Sequence, residues 1–140
     1  MERFAFLSLR HALMMLRTVT ALLFMAHAAV RIVHGTIPQF GAFMESAGFP
    51  QGEALVWAIT LAELAAGAAM IANRYVTQAA AILLIIAAAG ILLIHRHFGW
   101  FVGEHGTGGS EYSVALMAAL IVIISADRDA NVPASGLHSA

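Results

Sequence analysis

Not one charged residue interrupts the chain between positions 77 and 94. Crossing the hydrocarbon core of a bilayer takes roughly 20 apolar residues, with a range of about 17–25. There, every backbone N–H and C=O must be satisfied within the protein, which leaves helices or closed barrels. The apolar residues run continuously rather than alternating, so the pattern is helical. Three other stretches are of the same kind. Residues 12–33 are interrupted by Arg17, His27 and Arg31, and residues 54–72 only by Glu63. Residues 111–126 are short and are expected to take in the turn before them. The expected fold is all-α: an antiparallel bundle of four transmembrane helices. Residues 1–11 precede this membrane domain of 12–126, and 127–140 form a polar, loosely ordered tail.

Composition supports lipid as the solvent. Hydrophobic residues make up 61% of the 140 residues and charged ones 11%, against about 45–50% and about 25% in soluble domains. A chain this small has too much surface to hide that excess from water. The net charge is −1 and lysine is absent, which argues against nucleic acid as a partner. No cysteine is present, so disulfides, dithiol redox chemistry and thiolate metal ligation are excluded. Arg3, Arg10 and Arg17 before an apolar run ending in Ala26-His27-Ala28 imitate a secretory signal; the segment is read here as a spanning helix.

Arginine sets the expected orientation. Arg3, Arg10, Arg17, Arg74 and Arg128 fall on one side of a four-span bundle, Arg31 and Arg96 on the other. The positive-inside rule then places both termini in the cytoplasm of a multi-pass protein of the cell (inner) membrane. The 34–54 connection carries Pro38 where a helix could begin and Gly48 where it could end. Phe40, Phe43, Met44 and Ala47 between them follow helical spacing, so a short amphipathic helix in the membrane interface is expected. The tight turn Asn73-Arg74-Tyr75-Val76 makes its flanking helices antiparallel neighbours. Ala58, Ala62, Ala66 and Met70, and likewise Ala79, Leu83, Ala87 and Ile91, recur every fourth residue, a pattern of close helix packing.

Ionisable residues inside a span are costly and usually have a partner or a function. Glu63 lies roughly 13 Å below the outer surface and His27 about 10 Å below it, at ~1.5 Å per residue. Arg31 and His34 continue the helix face of His27. Glu63, His27 and Arg31 are therefore the candidate catalytic residues. Two readings stay open: a structural ion pair or hydrogen bond between groups that cannot be left bare, and a polar pocket opening outward for a small ligand or a proton. A second cluster comprises His95, His97, Glu104, His105 and Glu111 around Trp100 and Phe101. His34, His97, Trp100 and Glu111 are candidate ligand-binding residues, with the loop as a lid tied by His97 and Glu111. His95 and His97 stand two apart, which is not a helical metal pair, and no metal is assigned. With His27 the only deep histidine, bis-histidine haem is not expected. The Gly103 to Gly109 segment has no lysine and no preceding strand, so it is not a phosphate loop. Ser110 fits a helix N-cap.

These pieces resemble the DoxX family of small four-helix membrane proteins over residues 17–124. Arg17 opens the first helix. His27-Ala28-Ala29-Val30-Arg31 is similar to a His-Gly-x-x-Lys element, with Ala for Gly and Arg for Lys. Gly48-Phe49-Pro50, Glu63 with Gly67, and Arg74 follow in order. His97-Phe98-Gly99-Trp100-Phe101 with Gly109-Ser110-Glu111-Tyr112 is similar to the family's outer loop. The resemblance implies a link to quinone or thiol chemistry, since the name comes from a subunit associated with thiosulfate:quinone oxidoreduction. The expected function is a quinone-linked oxidoreductase component whose ligand is a quinone or another small apolar molecule. Alternatives are a non-catalytic membrane subunit that assembles a larger complex with a partner protein, and a solute or metal transporter acting as a homo-oligomer.

Overall fold

The computed structural model describes residues 7–94, 99–101 and 109–131. Among these the protein is all helical: α1 (Leu9–Val33), α2 (Ile37–Ser46), α3 (Gly52–Ile71), α4 (Val76–Leu93) and α5 (Glu111–Ala130). Three helices, α1, α3 and α4, are long and apolar enough to cross a membrane. The fourth expected crossing falls on α5, which is as long as α3. Charge at both its ends, Glu111 on one side and Asp127, Arg128 and Asp129 on the other, keeps α5 out of that group. It also runs four residues beyond the expected end at Ala126.

Three helices end in the same hydrogen-bonded device. Past α1, the Gly35 N–H donates to the Ile32 carbonyl and the Thr36 N–H to the Arg31 carbonyl, both at 3.1 Å. Past α2, Gly48 and Phe49 donate in the same way to Glu45 and Met44. Past α3, Asn73 and Arg74 donate to Met70 and Ala69. Each pair satisfies carbonyls that a helix end leaves open, and each needs one residue in the left-handed region. Gly35 (φ 62°), Gly48 (φ 95°) and Asn73 (φ 56°) fill that role.

α1 packs on α3, α3 on α4, α4 on α5, and α5 back on α1, while α2 lies against α3. Two contacts fix which ends coincide. Arg17 of α1 donates from Nη1 to the Asn73 Oδ1 in the α3–α4 turn. Asp127 of α5 accepts through Oδ2 from the Thr77 backbone N–H at 3.2 Å and from its hydroxyl at 2.7 Å. Tyr75 stands at the N-cap of α4 without a side-chain bond to it, so α5 supplies the cap instead. The N-terminal part of α1, the Asn73 turn and the end of α5 thus share one end of the bundle, the turn end. α2 marks the other.

The main core lies toward the turn end, where Phe24, Met70, Leu83, Leu120 and Ile123 pack together. A smaller cluster of Ile37, Met44 and Val56 seats α2 on α3. That seat depends on two glycines. A Cβ on Gly52 would collide with the Gly41 carbonyl, and one on Gly41 would fall 2.7 Å from the Glu53 backbone. Glu45 adds a bond to the Gly52 N–H at 3.1 Å. On α4 the expected small-residue line holds, with Ala79, Leu83 and Ala87 buried. On α3 it holds in its second half only: Ala66 and Met70 are buried, Ala62 is half-buried and Ala58 exposed, and the buried line continues instead through Glu63, Thr60 and Val56. The polar groups of Thr60 and Glu63 cannot be satisfied by lipid, and they decide which face turns inward.

Candidate functional site

One turn separates His27 from Arg31 on α1, and less than one separates Thr60 from Glu63 on α3. Each pair therefore shares a helix face, and the packing of α1 on α3 brings the faces together. Arg31 Nη1 donates to Glu63 Oε2 at 3.0 Å and to the Thr60 hydroxyl at 2.6 Å. Thr60 in turn donates to the Val56 carbonyl at 2.7 Å. Arg31 is 8% exposed and Glu63 2%. An ion pair this deep persists only when its members are held by further hydrogen bonds, and Thr60 supplies one. From α2, the Phe40 ring covers the guanidinium at 5.5 Å and stacks on Phe43.

The pair forms part of the wall of a cavity of about 820 Å³ at the α2 end. All five helices contribute to that wall. Most of it is aliphatic, as at Leu23, Ile86 and Leu93, with His27, Gln39, Tyr112 and Ser113 adding polar groups. His27 stands on an exposed part of α1 and lines the same space. The three candidate catalytic residues are thus brought together. Their contact is direct between Arg31 and Glu63.

The candidate ligand-binding residues are not gathered in this way. His34 is the exposed C-cap of α1, and its backbone N–H bonds to the Val30 carbonyl at 2.9 Å; it is not part of the cavity wall. Trp100 is exposed, and its contribution is its carbonyl, which accepts from the Glu111 N–H at 3.0 Å. Glu111 is half-buried at the start of α5. Ser110 occupies the N-cap position but makes no side-chain cap bond; its N–H donates to the Gly99 carbonyl at 3.1 Å. His97, and with it the His97–Glu111 tie, lies outside the described residues, as do His95, Glu104 and His105. Among the described residues no three His, Asp or Glu side chains gather as metal ligands.

Thr60, Phe40, Gln39 and Ser113 were not singled out in the sequence as site residues. Thr60 had a readable signal, since it precedes Glu63 by three positions on a spanning helix. Phe40 could be read as part of an apolar stripe roofing this end of the bundle, but its place over Arg31 depends on how α2 folds back.

A family model for DoxX matches residues 12–96, the stretch from α1 through α4 that holds His27, Arg31, Phe40, Thr60 and Glu63. No curated protein and no solved structure matches the chain. The outer-loop motif beyond Arg96 lies past the matched segment. With more than half of its length so matched, this helical membrane protein belongs to the DoxX family.

Proposed function

We propose that the protein binds a quinone in the cavity at the α2 end and serves as a quinone-linked oxidoreductase component of the cell inner membrane. One observation carries the reading. A large, mostly aliphatic cavity has a buried, hydrogen-bonded polar cluster set in its wall. Apolar pockets with a few fixed polar groups are the usual form of small-molecule sites. A quinone carries two carbonyl acceptors on an apolar body and takes up protons when it is reduced. Arg31 and His27 are donors in the wall for such a carbonyl, beside Gln39, Tyr112 and Ser113. Glu63 and Thr60 hold the guanidinium in place, and His27, which lines the cavity, is the imidazole able to exchange a proton with the bound molecule.

Four crossings belong to this proposal, with α5 as the fourth and both termini cytoplasmic. The contact of Thr77 with Asp127 supports it, because it ties the end of α5 to the start of α4, and α5 packs on α4. The absence of cysteine favours a second reading, a non-catalytic subunit that holds quinone for a partner protein.

Binding of a decyl-substituted quinone to protein in lipid nanodiscs tests the site. Gly90→Leu, which fills the aliphatic part of the cavity, should weaken binding at least tenfold while the protein stays folded. Unchanged affinity would remove the cavity from consideration. Electron transfer from a supplied reductant to the bound quinone, present in the isolated protein or only with its native partners, separates the two readings.

A further inference from the structure

We propose that the Arg31–Glu63 pair makes this cavity selective by charge, admitting amphiphiles that present an uncharged oxygen and rejecting anionic ones. Glu63 is then the specificity-determining residue. The inference rests on the reading that the cavity holds an amphiphile, and it adds which class of head group that amphiphile carries.

A lone guanidinium at the head of an aliphatic cavity would be a receptor for carboxylate, sulfonate or phosphate, which its planar fork fits well. Here the charge is already paired. Both hydrogen bonds that Arg31 makes among the described residues leave from Nη1, to Glu63 and to Thr60. Among those residues Nη2 and Nε have no hydrogen-bond partner, and Phe40 covers one face of the group. The positive charge is therefore balanced, while N–H donors remain on the other edge. An anion entering the cavity would lose its hydration and gain no uncompensated cation. It would also come to rest near the carboxylate of Glu63, so desolvation and like-charge repulsion act together. A carbonyl or hydroxyl oxygen takes the same donors at far smaller desolvation cost. Among the described residues His27 is the one other basic group in the wall. The measurement is therefore made at pH 8.5, above the ordinary imidazole range of about 6.5.

Two probes of equal chain length decide the matter, a tritiated decyl-quinone and tritiated decanesulfonate, which is anionic at every usable pH. Binding is measured to the full chain in phosphatidylcholine nanodiscs. The wild-type protein should prefer the quinone at least tenfold. Glu63→Gln leaves Arg31 unbalanced and should raise sulfonate affinity at least tenfold. The double variant Arg31→Gln/Glu63→Gln restores neutrality and should return the sulfonate to its weak wild-type level; because it leaves no buried charge, it also serves where Glu63→Gln does not fold. Wild-type protein that binds the sulfonate as tightly as the quinone overturns the proposal and leaves the cavity reading intact. A double variant that loses sulfonate binding relative to wild type also overturns it, since the pair would then act as a net cation. Uptake of neither probe by folded wild-type protein overturns both the proposal and the reading beneath it.

Discussion

Arg31 and Glu63 answer a question that the sequence could only pose. Their depths could be estimated from helical rise, and Arg31 or His27 were the available partners for Glu63. That the choice falls on Arg31, at 3.0 Å, depends on the rotation of α1 against α3, which spacing alone does not fix. Because both members are buried, removing one should cost far more than removing both. Arg31→Ala should destabilise the protein by about 3–5 kcal/mol, by leaving Glu63 unpaired. Adding Glu63→Gln to that variant should recover most of the loss, and thermal unfolding in detergent measures both steps. Equal stability of the single and double variants would mean the pair is not coupled. Asn73 provides a second test. Its left-handed φ of 56° ends α3, and its side chain accepts from Arg17. Asn73→Gly keeps the backbone conformation and loses only the side-chain bond, about 1 kcal/mol. Asn73→Val meets the penalty for a β-branched residue at positive φ as well and should be clearly worse.

At the scale of elements, the long apolar helices were legible because lipid leaves few options, and the glycine stop signal of α2, Gly48, stood where the chain turns. Two elements behaved differently from expectation for reasons not contained in their own residues. α5 extends to Ala130 because Asp127, which reads as the start of a polar tail, caps α4 from a neighbouring helix. α2 was legible as a helix, but its seat on α3 was not, since that rests on the backbone contact between Gly41 and Gly52. Gly52→Val should push α2 off α3, displace Phe40 from Arg31 and weaken quinone binding together with stability. Ala42→Val, on the exposed side of α2, should do neither. Asp127→Ala should cost about 1–2 kcal/mol through the lost cap without moving quinone affinity, since it lies at the opposite end from the cavity.

The whole molecule is built with unlike ends. The turn end is packed by the larger core and tied by Arg17, Asn73, Thr77 and Asp127. The α2 end holds the cavity and the buried pair. Arg10, Arg17, Arg74 and Arg128 gather toward the turn end, and among the described residues Arg31 is the one arginine toward the other. Arg31 is buried against Glu63 and so adds little to the surface charge there. The asymmetry seen by the membrane is therefore stronger than a bare count of arginines suggests, and the turn end should face the cytoplasm. The chain has no cysteine, so single introduced cysteines report without background. Ser46→Cys lies at the exposed end of α2, and Asn131→Cys just past α5. In sealed right-side-out vesicles an impermeant maleimide should label the first and leave the second untouched until the membrane is opened. Arg74→Cys, in the α3–α4 turn, should behave like Asn131→Cys. If Asn131→Cys labels from outside while Arg74→Cys does not, α5 does not cross, and the cavity wall it forms would need another anchor. If all three labels reverse, four crossings stand and the orientation is wrong.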